Sequence, residues 1–305
     1  MSGSTWTETD PARNAQRERL LQTLRDYRRV VVAFSGGIDS TIVAQAAYEA
    51  LGDAATAVTA VSESLASGEL QEAEDLARRI GIRHRVIHTD EFTDPNYLRN
   101  QPDRCYFCKS ELYGRLSAML AELGGDVVVS GANTDDLGDY RPGLIAAGEH
   151  GVRHPLQECG LSKADVRALA RGWDLPTWDK PATPCLSSRI AYGENVSSEK
   201  VRMIDQAETW LRRRGFRNLR VRYHQGDLAR IEVPLSDLSD VVELELRGEL
   251  ISAFRSLGFK FITLDLEGFR SGSLNSMIPV ENLLRGVGHA TFPSASEKSG
   301  GLKSQ

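Results

Sequence analysis

The chain has 305 residues, of which 37 are lysine or arginine and 42 are aspartate or glutamate, so its formal net charge is −5. Hydrophobic residues make up 41% of the chain and charged residues 26%, an ordinary globular composition that excludes disorder of the whole chain and leaves room for two domains. No apolar run approaches the ~18 residues of a membrane span, and a mildly acidic chain is a poor candidate for general nucleic-acid binding.

The amino terminus and the cysteines indicate the cellular compartment. The first ten residues are polar and lack the apolar segment of a secretory signal. The four cysteines, Cys105, Cys108, Cys159 and Cys185, are too few for a disulfide scaffold in a chain of this length. We therefore expect a cytoplasmic protein.

Strands and helices alternate through the first part of the chain. Periodicity predicts helices at residues 13–27, 41–51, 68–81, 106–123 and 162–172, and strands at 29–34, 54–61, 85–88 and 126–130. Gly81 is a predicted C-cap, and Ser162 a predicted N-cap with Asp165 in a capping box. This order predicts an α/β fold with a doubly wound parallel sheet, in which ligands lie beyond the carboxyl ends of the strands.

The segment 174–192 contains three prolines and is predicted to be a loop that leads into a second unit. Beyond it, the pattern predicts helices at 198–215 and 244–257 and strands at 219–224, 229–233 and 261–266. We predict a disordered N-terminus at 1–12, an α/β domain at 13–192, a small α+β domain for substrate binding or oligomerisation at 193–275, and a tail at 276–305 with a disordered end.

A glycine-rich turn directly follows the first predicted strand and precedes a helix. It reads Ser35-Gly36-Gly37-Ile38-Asp39-Ser40. The two glycines let the backbone approach a ligand and present N–H groups, the helix start adds partial positive charge, and the serines add hydroxyls. The turn therefore predicts a pyrophosphate cradle, although no Walker lysine follows it. A strand-to-helix turn without a ligand is the alternative.

A second polar turn, Gly131-Ala132-Asn133-Thr134-Asp135-Asp136, follows the strand predicted at 126–130. It lies at a strand carboxyl end, where this fold places ligands. Asp135 and Asp136 are candidate Mg²⁺ ligands beside a phosphate site, and an Asx-turn with solvated carboxylates is the alternative.

The cysteines form two groups. Cys105 and Cys108 make a C-x₂-C, which alone is a weak zinc signal, and a redox pair or simple packing would also explain it. Cys185 lies on the proline-rich loop, with the cationic Arg189 four residues on, and is a candidate nucleophile.

Arginines are concentrated around the strand predicted at 219–224. Alternation places Arg220, Arg222 and His224 on one face, opposite Val221 and Tyr223. Such a face suits a phosphate or carboxylate ligand, whereas the helical arginines at 212–214 are expected to be solvated.

The segments SGGIDS, RCYFCK, GANTDDLGDYRPG, PCLSSRIAYG and RVRYH follow one another in this order. With them the chain resembles the ATP-dependent sacrificial sulfur transferases, the LarE family of PP-loop ATP pyrophosphatases, over about residues 29–274. The resemblance implies that ATP is split to AMP and pyrophosphate. It also implies that a carboxylate of a pyridinium dicarboxylate mononucleotide is adenylated and becomes a thiocarboxylate, in nickel-pincer nucleotide synthesis.

The resemblance also implies roles for individual residues. The loop from Ser35 to Ser40, with Gly131, Asp135 and Asp136, would bind ATP, and Asp39 would help to place Mg²⁺. Cys185 would attack the acyl-adenylate and lose its sulfur to become dehydroalanine. The substrate-binding residues would be Arg189, Arg220 and Arg222.

The C-x₂-C departs from the single-cysteine members of that family. It makes the chain more similar to members in which three cysteines hold a [4Fe-4S] cluster, here Cys105, Cys108 and Cys185, leaving one iron open for hydrosulfide. We expect the cluster, because the sacrificial route gives Cys105 and Cys108 no role.

Other functions share some of these features. A tRNA thiolase would share the phosphate loop and the C-x₂-C, an amide-forming ligase would need ammonia, and a nucleotide-sensing module would bind ATP without turnover. We expect a small-molecule nucleotide as the partner, no membrane or nucleic acid, and a homo-oligomer.

Overall fold

The computed structural model describes residues 11–138 and 141–270. Residues 1–10 of the predicted disordered N-terminus and the predicted tail at 276–305 lie outside the described residues. Asp139 and Tyr140 of the GDYRPG motif lie outside them as well. No helix within the described ranges combines the length and the hydropathy needed to cross a bilayer.

The elements follow one another in nearly the predicted order. The helices described are α1 (Pro11–Tyr27), α2 (Ile38–Leu51), α3 (Glu69–Ile80), α4 (Pro95–Leu98), α5 (Arg104–Ala118), α6 (Pro142–Glu149), α7 (Pro155–Glu158), α8 (Lys163–Gly172), α9 (Ser198–Arg212), α10 (Leu238–Val241) and α11 (Leu244–Ser256). The strands are β1 (Val30–Ala33), β2 (Ala55–Val61), β3 (Arg83–His88), β4 (Val127–Val129), β5 (Arg220–His224), β6 (Leu228–Glu232) and β7 (Phe261–Leu264).

The first sheet confirms the predicted α/β fold. Its four strands are parallel in the order β3-β2-β1-β4, so β1 is central, with Val30 opposite Ala55 on one side and Val127 on the other. Val30 and Val32 pack with α1, α2 and α8, whereas Val31 packs with α5 and α6. Both faces of the sheet are covered, which explains why β1 is an unbroken apolar run.

Caps and prolines set several helix boundaries. Gly81 ends α3 in the left-handed conformation, and Ser162 forms a capping box with Asp165, both as predicted. The short helices α4, α6 and α7 were not predicted. Each carries proline in its first turn, at Pro95, Pro142 and Pro155, where the missing N–H costs nothing.

The second sheet lies beyond the proline-rich loop. Strands β5 and β6 are antiparallel, and β7 runs parallel to β6. Helices α9 and α11 pack on this sheet around a core that also contains Leu186 and Ile190. Ile190 pairs with Tyr223 of β5. The predicted loop contains 3-10 turns at Pro176–Asp179 and Leu186–Arg189. Because Leu186 and Ile190 pack in the second core, the segment that carries Cys185 is anchored there.

Candidate functional site

The phosphate loop joins β1 to α2, and α2 begins at Ile38, three residues earlier than predicted. Gly36 has a φ of +69°, which favours glycine, and a Cβ there would lie 3.4 Å from Ala73 of α3. No side chain caps the start of α2 at Gly37. The hydroxyls of Ser35 and Ser40 lie 3.2 Å apart across the turn. Uncapped N–H groups, hydroxyls and the helix dipole together make a site suited to an anion.

The turn after β4 packs directly on the phosphate loop. A Cβ on Gly131 would lie 2.6 Å from the Ser40 nitrogen and 2.7 Å from the Asp39 carbonyl carbon. Only glycine fits there without a shift of the backbone. The structure therefore brings together the two glycine-containing turns that the sequence analysis identified separately.

Asp39 lies between the two turns and has two partners. Its Oδ1 accepts a hydrogen bond from Asn133 Nδ2 at 3.1 Å, and its Oδ2 accepts one from Lys163 Nζ at 2.5 Å. The Lys163 backbone N–H donates to Asp135 Oδ2 at 3.3 Å. Sequence analysis missed Lys163, although a lysine in the first turn of a helix is unfavourable with the dipole and is in itself a signal.

Asp136 holds the turn itself. Its Oδ2 accepts from the Asn133 N–H at 2.9 Å, and its Oδ1 lies 2.9 Å from the Arg141 guanidinium. The turn also contains an Asx-turn at Asn133, whose Oδ1 accepts from the Asp135 N–H at 3.0 Å, whereas the carboxylates of Asp39 and the exposed Asp135 face Lys163. Carboxylate oxygens suit Mg²⁺, which usually takes one or two of them together with phosphate oxygens.

The C-x₂-C lies at the start of α5. Cys105 is exposed, and Cys108 is partly buried against the second core. Burial raises the pKa of the Cys108 thiol, and the nearby Cys185, Glu91 and Cys105 raise it further against the opposing effect of Lys109. The three thiols therefore share one neighbourhood. However, residues 11–138 and 141–270 contain no group of three His, Cys, Asp or Glu side chains arranged to hold a metal ion.

Cys159, whose role the sequence left open, packs in the first core. It is buried, its Sγ lies 3.3 Å from Thr23 Oγ1, and burial raises its pKa. It serves packing rather than chemistry.

Cys185 lies on a loop, residues 182–194, that we call the cysteine loop. The Leu186 N–H donates to the Ser64 carbonyl at 2.8 Å, just beyond the carboxyl end of β2. The Arg189 guanidinium is fully buried, donates to Glu208 Oε1 at 3.1 Å and to the Cys185 carbonyl at 2.9 Å, and so binds the main chain of the loop. Its predicted contact with substrate stays a prediction.

Arg220 and Arg222 are buried beneath the same loop, and Val221 and Tyr223 pack in the apolar core on the other face of β5, as the alternation predicted. Arg220 Nη2 donates to the Ala182 carbonyl at 2.7 Å. Arg222 donates to the Ser188 carbonyl at 3.1 Å and to Glu232 at 3.0 Å.

The charge on Arg220 is poorly compensated. Burial, and after it the charge of the nearby Arg189, lower its pKa to about 10 against the opposing effect of Glu208. Among the described residues Arg220 has no carboxylate within ion-pair distance, since its contacts are carbonyls and the Phe269 ring.

The helical arginines are solvated as expected, since Arg213 and Arg214 are exposed and Arg212 is partly exposed; in addition, Arg212 pairs with Glu208 at 2.6 Å and Arg214 with Glu249 at 2.7 Å. Periodicity predicted their helix but not their acidic partners, which lie on another turn or another helix.

Comparison with known proteins gives several similarities. Residues 17–136 match the family model described as asparagine synthase. The chain is 48% identical over 261 residues to an uncharacterised protein of Synechocystis sp., which covers 86% of this chain and 97% of that protein. It is 41% identical over 260 residues to the pyridinium-3,5-bisthiocarboxylic acid mononucleotide synthase of Lactiplantibacillus plantarum, covering 85% and 93%.

A more distant similarity covers about half of each chain. The tRNA-specific 2-thiouridylase MnmA of Azorhizobium caulinodans is 31% identical over 192 residues, which are 50% of this chain and 49% of that enzyme. The shared segment is therefore the part common to both, and about half of that enzyme has no counterpart in the match.

The substitution Gly131→Ala tests the contact between the two turns. The added methyl group would press on the backbone of Ser40 and Asp39, and overpacking of this kind costs about 1–3 kcal/mol. We expect ATP affinity, measured by calorimetric titration, to fall by about tenfold. Gly148→Ala in α6, where a Cβ meets nothing within 4 Å, is the matched control. Unchanged ATP affinity in Gly131→Ala would show that the turn after β4 is not part of the nucleotide site.

Proposed function

The chain belongs to the LarE family of ATP-dependent sulfur transferases within the PP-loop ATP pyrophosphatases, and we propose that it converts a carboxylate of a pyridinium dicarboxylate mononucleotide into a thiocarboxylate, for a nickel-pincer cofactor. One observation carries the proposal. The hydrogen bond from Leu186 to Ser64 holds the loop of Cys185 at the carboxyl edge of the sheet that bears the phosphate loop. An adenylating site and a sulfur site are thus joined in one chain.

Adenylation is the first step of the proposal. A carboxylate oxygen of the substrate attacks the α-phosphorus of ATP, and the bond to the β-phosphate breaks to release pyrophosphate. The N–H groups of the phosphate loop and the Lys163 ammonium are placed to hold the phosphates. Asp39 and Asp135 would hold Mg²⁺, which neutralises phosphate charge when bound.

Cys185 supplies sulfur in the second step. In the single-cysteine route its thiolate attacks the acyl carbon, the carbon–oxygen bond to AMP breaks, and AMP leaves with the electron pair. Removal of the α-proton of Cys185 and cleavage of its Cβ–Sγ bond then release the thiocarboxylate and leave dehydroalanine. No oxidant or reductant is needed.

The second route renews the sulfur. Cys105, Cys108 and Cys185 would hold a [4Fe-4S] cluster, which when bound supplies an open iron for hydrosulfide. The shared neighbourhood of the three thiols supports this route, and so does the absence of any role for Cys105 and Cys108 in the sacrificial one. We favour it for this chain.

Arg220 and Arg222 are proposed to recognise the substrate phosphate. A buried guanidinium without a carboxylate partner is stabilised by an incoming anion, and Arg220 is such a group. Arg189 is proposed to act with them through the loop that it holds. The partner is a small-molecule nucleotide, while the homo-oligomer and the cytoplasmic location remain sequence predictions.

The substitution Asp39→Ala tests the adenylating site. Asp39 joins the phosphate loop to Lys163, so we expect release of AMP and pyrophosphate to be abolished while the thermal unfolding curve is kept. Asp53→Ala, at an exposed carboxylate after α2, should behave as wild type. Formation of ADP and phosphate by the wild-type protein would overturn the PP-loop chemistry.

The substitutions Arg220→Ala and Arg222→Ala test substrate recognition. Each should weaken binding of the pyridinium dicarboxylate mononucleotide by ~1.5–3 kcal/mol, the range for a hydrogen bond to a charged group, without changing ATP affinity. Both affinities are measured by calorimetry, with the exposed Arg217→Ala as control. Equal losses of affinity for ATP and for the mononucleotide would contradict the assignment of Arg220 and Arg222 to substrate recognition.

The substitution Cys105→Ala separates the two sulfur routes. We expect anaerobically reconstituted Cys105→Ala to lose both iron and thiocarboxylate formation, and wild-type Cys185 to survive turnover as cysteine, as mass spectrometry would show. The control variant Cys159→Ala, in the first core, should keep both its iron and its thiocarboxylate formation. Iron-free wild-type protein that makes one thiocarboxylate per chain and ends with dehydroalanine at position 185 would establish the sacrificial route instead.

A further inference from the structure

Three buried polar side chains form hydrogen bonds with the cysteine loop from its other side, two of them with its main chain. Tyr97 of α4, Asn100 and Arg104 of α5 are 1%, 0% and 4% exposed. Asn100 has a φ of +51°, an uncommon conformation for a residue other than glycine. Its amide donates to the carbonyls at positions 190, 191 and 194 of the loop, at 3.3, 2.9 and 2.9 Å. Such strain persists where the surrounding contacts fix it.

Arg104 extends this set of hydrogen bonds towards Cys185. Its Nη1 donates to the Ser187 carbonyl at 2.7 Å and to Asn100 Oδ1. The Tyr97 hydroxyl is 2.7 Å from Ser187 Oγ. Ser187 lies two residues after Cys185, so its main chain and its side chain are both fixed next to the sulfur-bearing residue.

The Arg104 guanidinium makes its hydrogen bonds to the loop and to its neighbour Asn100. Among the residues described, no carboxylate lies within ion-pair distance of it, and its hydrogen-bond partners are the Asn100 amide oxygen and the Ser187 carbonyl. Burial of a charged group is costly unless the group is hydrogen-bonded, so the contact with Ser187 holds the guanidinium and the loop to one another.

We propose that Arg104 is a positioning residue for sulfur transfer, which fixes Cys185 through the Ser187 carbonyl so that its sulfur is correctly placed once the substrate has been adenylated. This inference rests on the proposed function. The inference distinguishes adenylation from sulfur transfer, because the contacts of Arg104 are with the cysteine loop and not with the phosphate loop. Loss of Arg104 therefore impairs sulfur transfer and spares adenylation.

The test uses Arg104→Gln and Arg104→Lys, with pyrophosphate, the product of adenylation, and thiocarboxylate, the product of sulfur transfer, both measured over one turnover in the same anaerobic reaction of ATP and the pyridinium dicarboxylate mononucleotide. Rates are divided by the iron content of each preparation, so that loss of metal is not mistaken for loss of positioning. Arg115→Gln is the matched control, because Arg115 lies on the same helix and pairs with Glu111 and Asp90 at the surface.

We expect Arg104→Gln to release pyrophosphate within about twofold of the wild-type rate and to form thiocarboxylate about a hundredfold more slowly, the scale of a misplaced reacting group. Arg104→Lys should recover part of that loss because an ammonium group can still donate to the Ser187 carbonyl, and Arg115→Gln should keep the wild-type ratio of products. If Arg104→Gln does not fold, the product ratio of Arg104→Lys decides alone.

Two outcomes would overturn the inference. A parallel fall of pyrophosphate and thiocarboxylate would assign Arg104 a purely structural role, and a wild-type product ratio in both variants would assign it none. Failure of the wild-type protein to form AMP with this substrate would instead count against the proposed function.

Discussion

The buried ion pair between Arg189 and Glu208 is the interaction on which the position of Cys185 depends. Both side chains are fully buried, 3.1 Å apart, and Glu208 also accepts from the Val221 N–H and from Arg212. One carboxylate thus joins α9, β5 and the cysteine loop. Removal of one partner of such a pair leaves an uncompensated charge and costs about 3–5 kcal/mol, so the loop has little freedom to leave the second core.

The same loop is bound just as firmly on its other side. Ser64 holds it at the edge of the first sheet, and Asn100 holds the carbonyls from Ile190 onward. Cys185 therefore lies where the two cores meet, while the side chain itself stays partly exposed. In the proposed reaction a sulfur atom must reach an acyl carbon held by the other site, and rigid support of the loop from both sides reduces the conformational freedom that would otherwise be lost at that step.

The sequence predicted the elements of this arrangement better than their contacts. Valine runs and caps such as Ser162 are local signals, and the parallel sheet followed from them. Alternation in β5 placed Arg220 and Arg222 on one face, but it could not show that the cysteine loop, more than 30 residues away, covers that face. Pairing across such separations depends on the fold and leaves no periodic trace in the sequence.

The buried charges around the cysteine loop are mainly positive, whereas the net charge of the chain is negative. A net charge of −5 argued against polyanions as partners, yet Arg104, Arg189, Arg220 and Arg222 are buried around one loop. Glu208 and Glu232 are the carboxylates that these arginines pair with among the described residues. The lowered pKa of Arg220 shows that this compensation is incomplete. A small anion that enters such a site gains more from each cation than at the surface, because the surroundings exclude water. Under the proposed function, this local excess of positive charge favours a compact phosphorylated substrate.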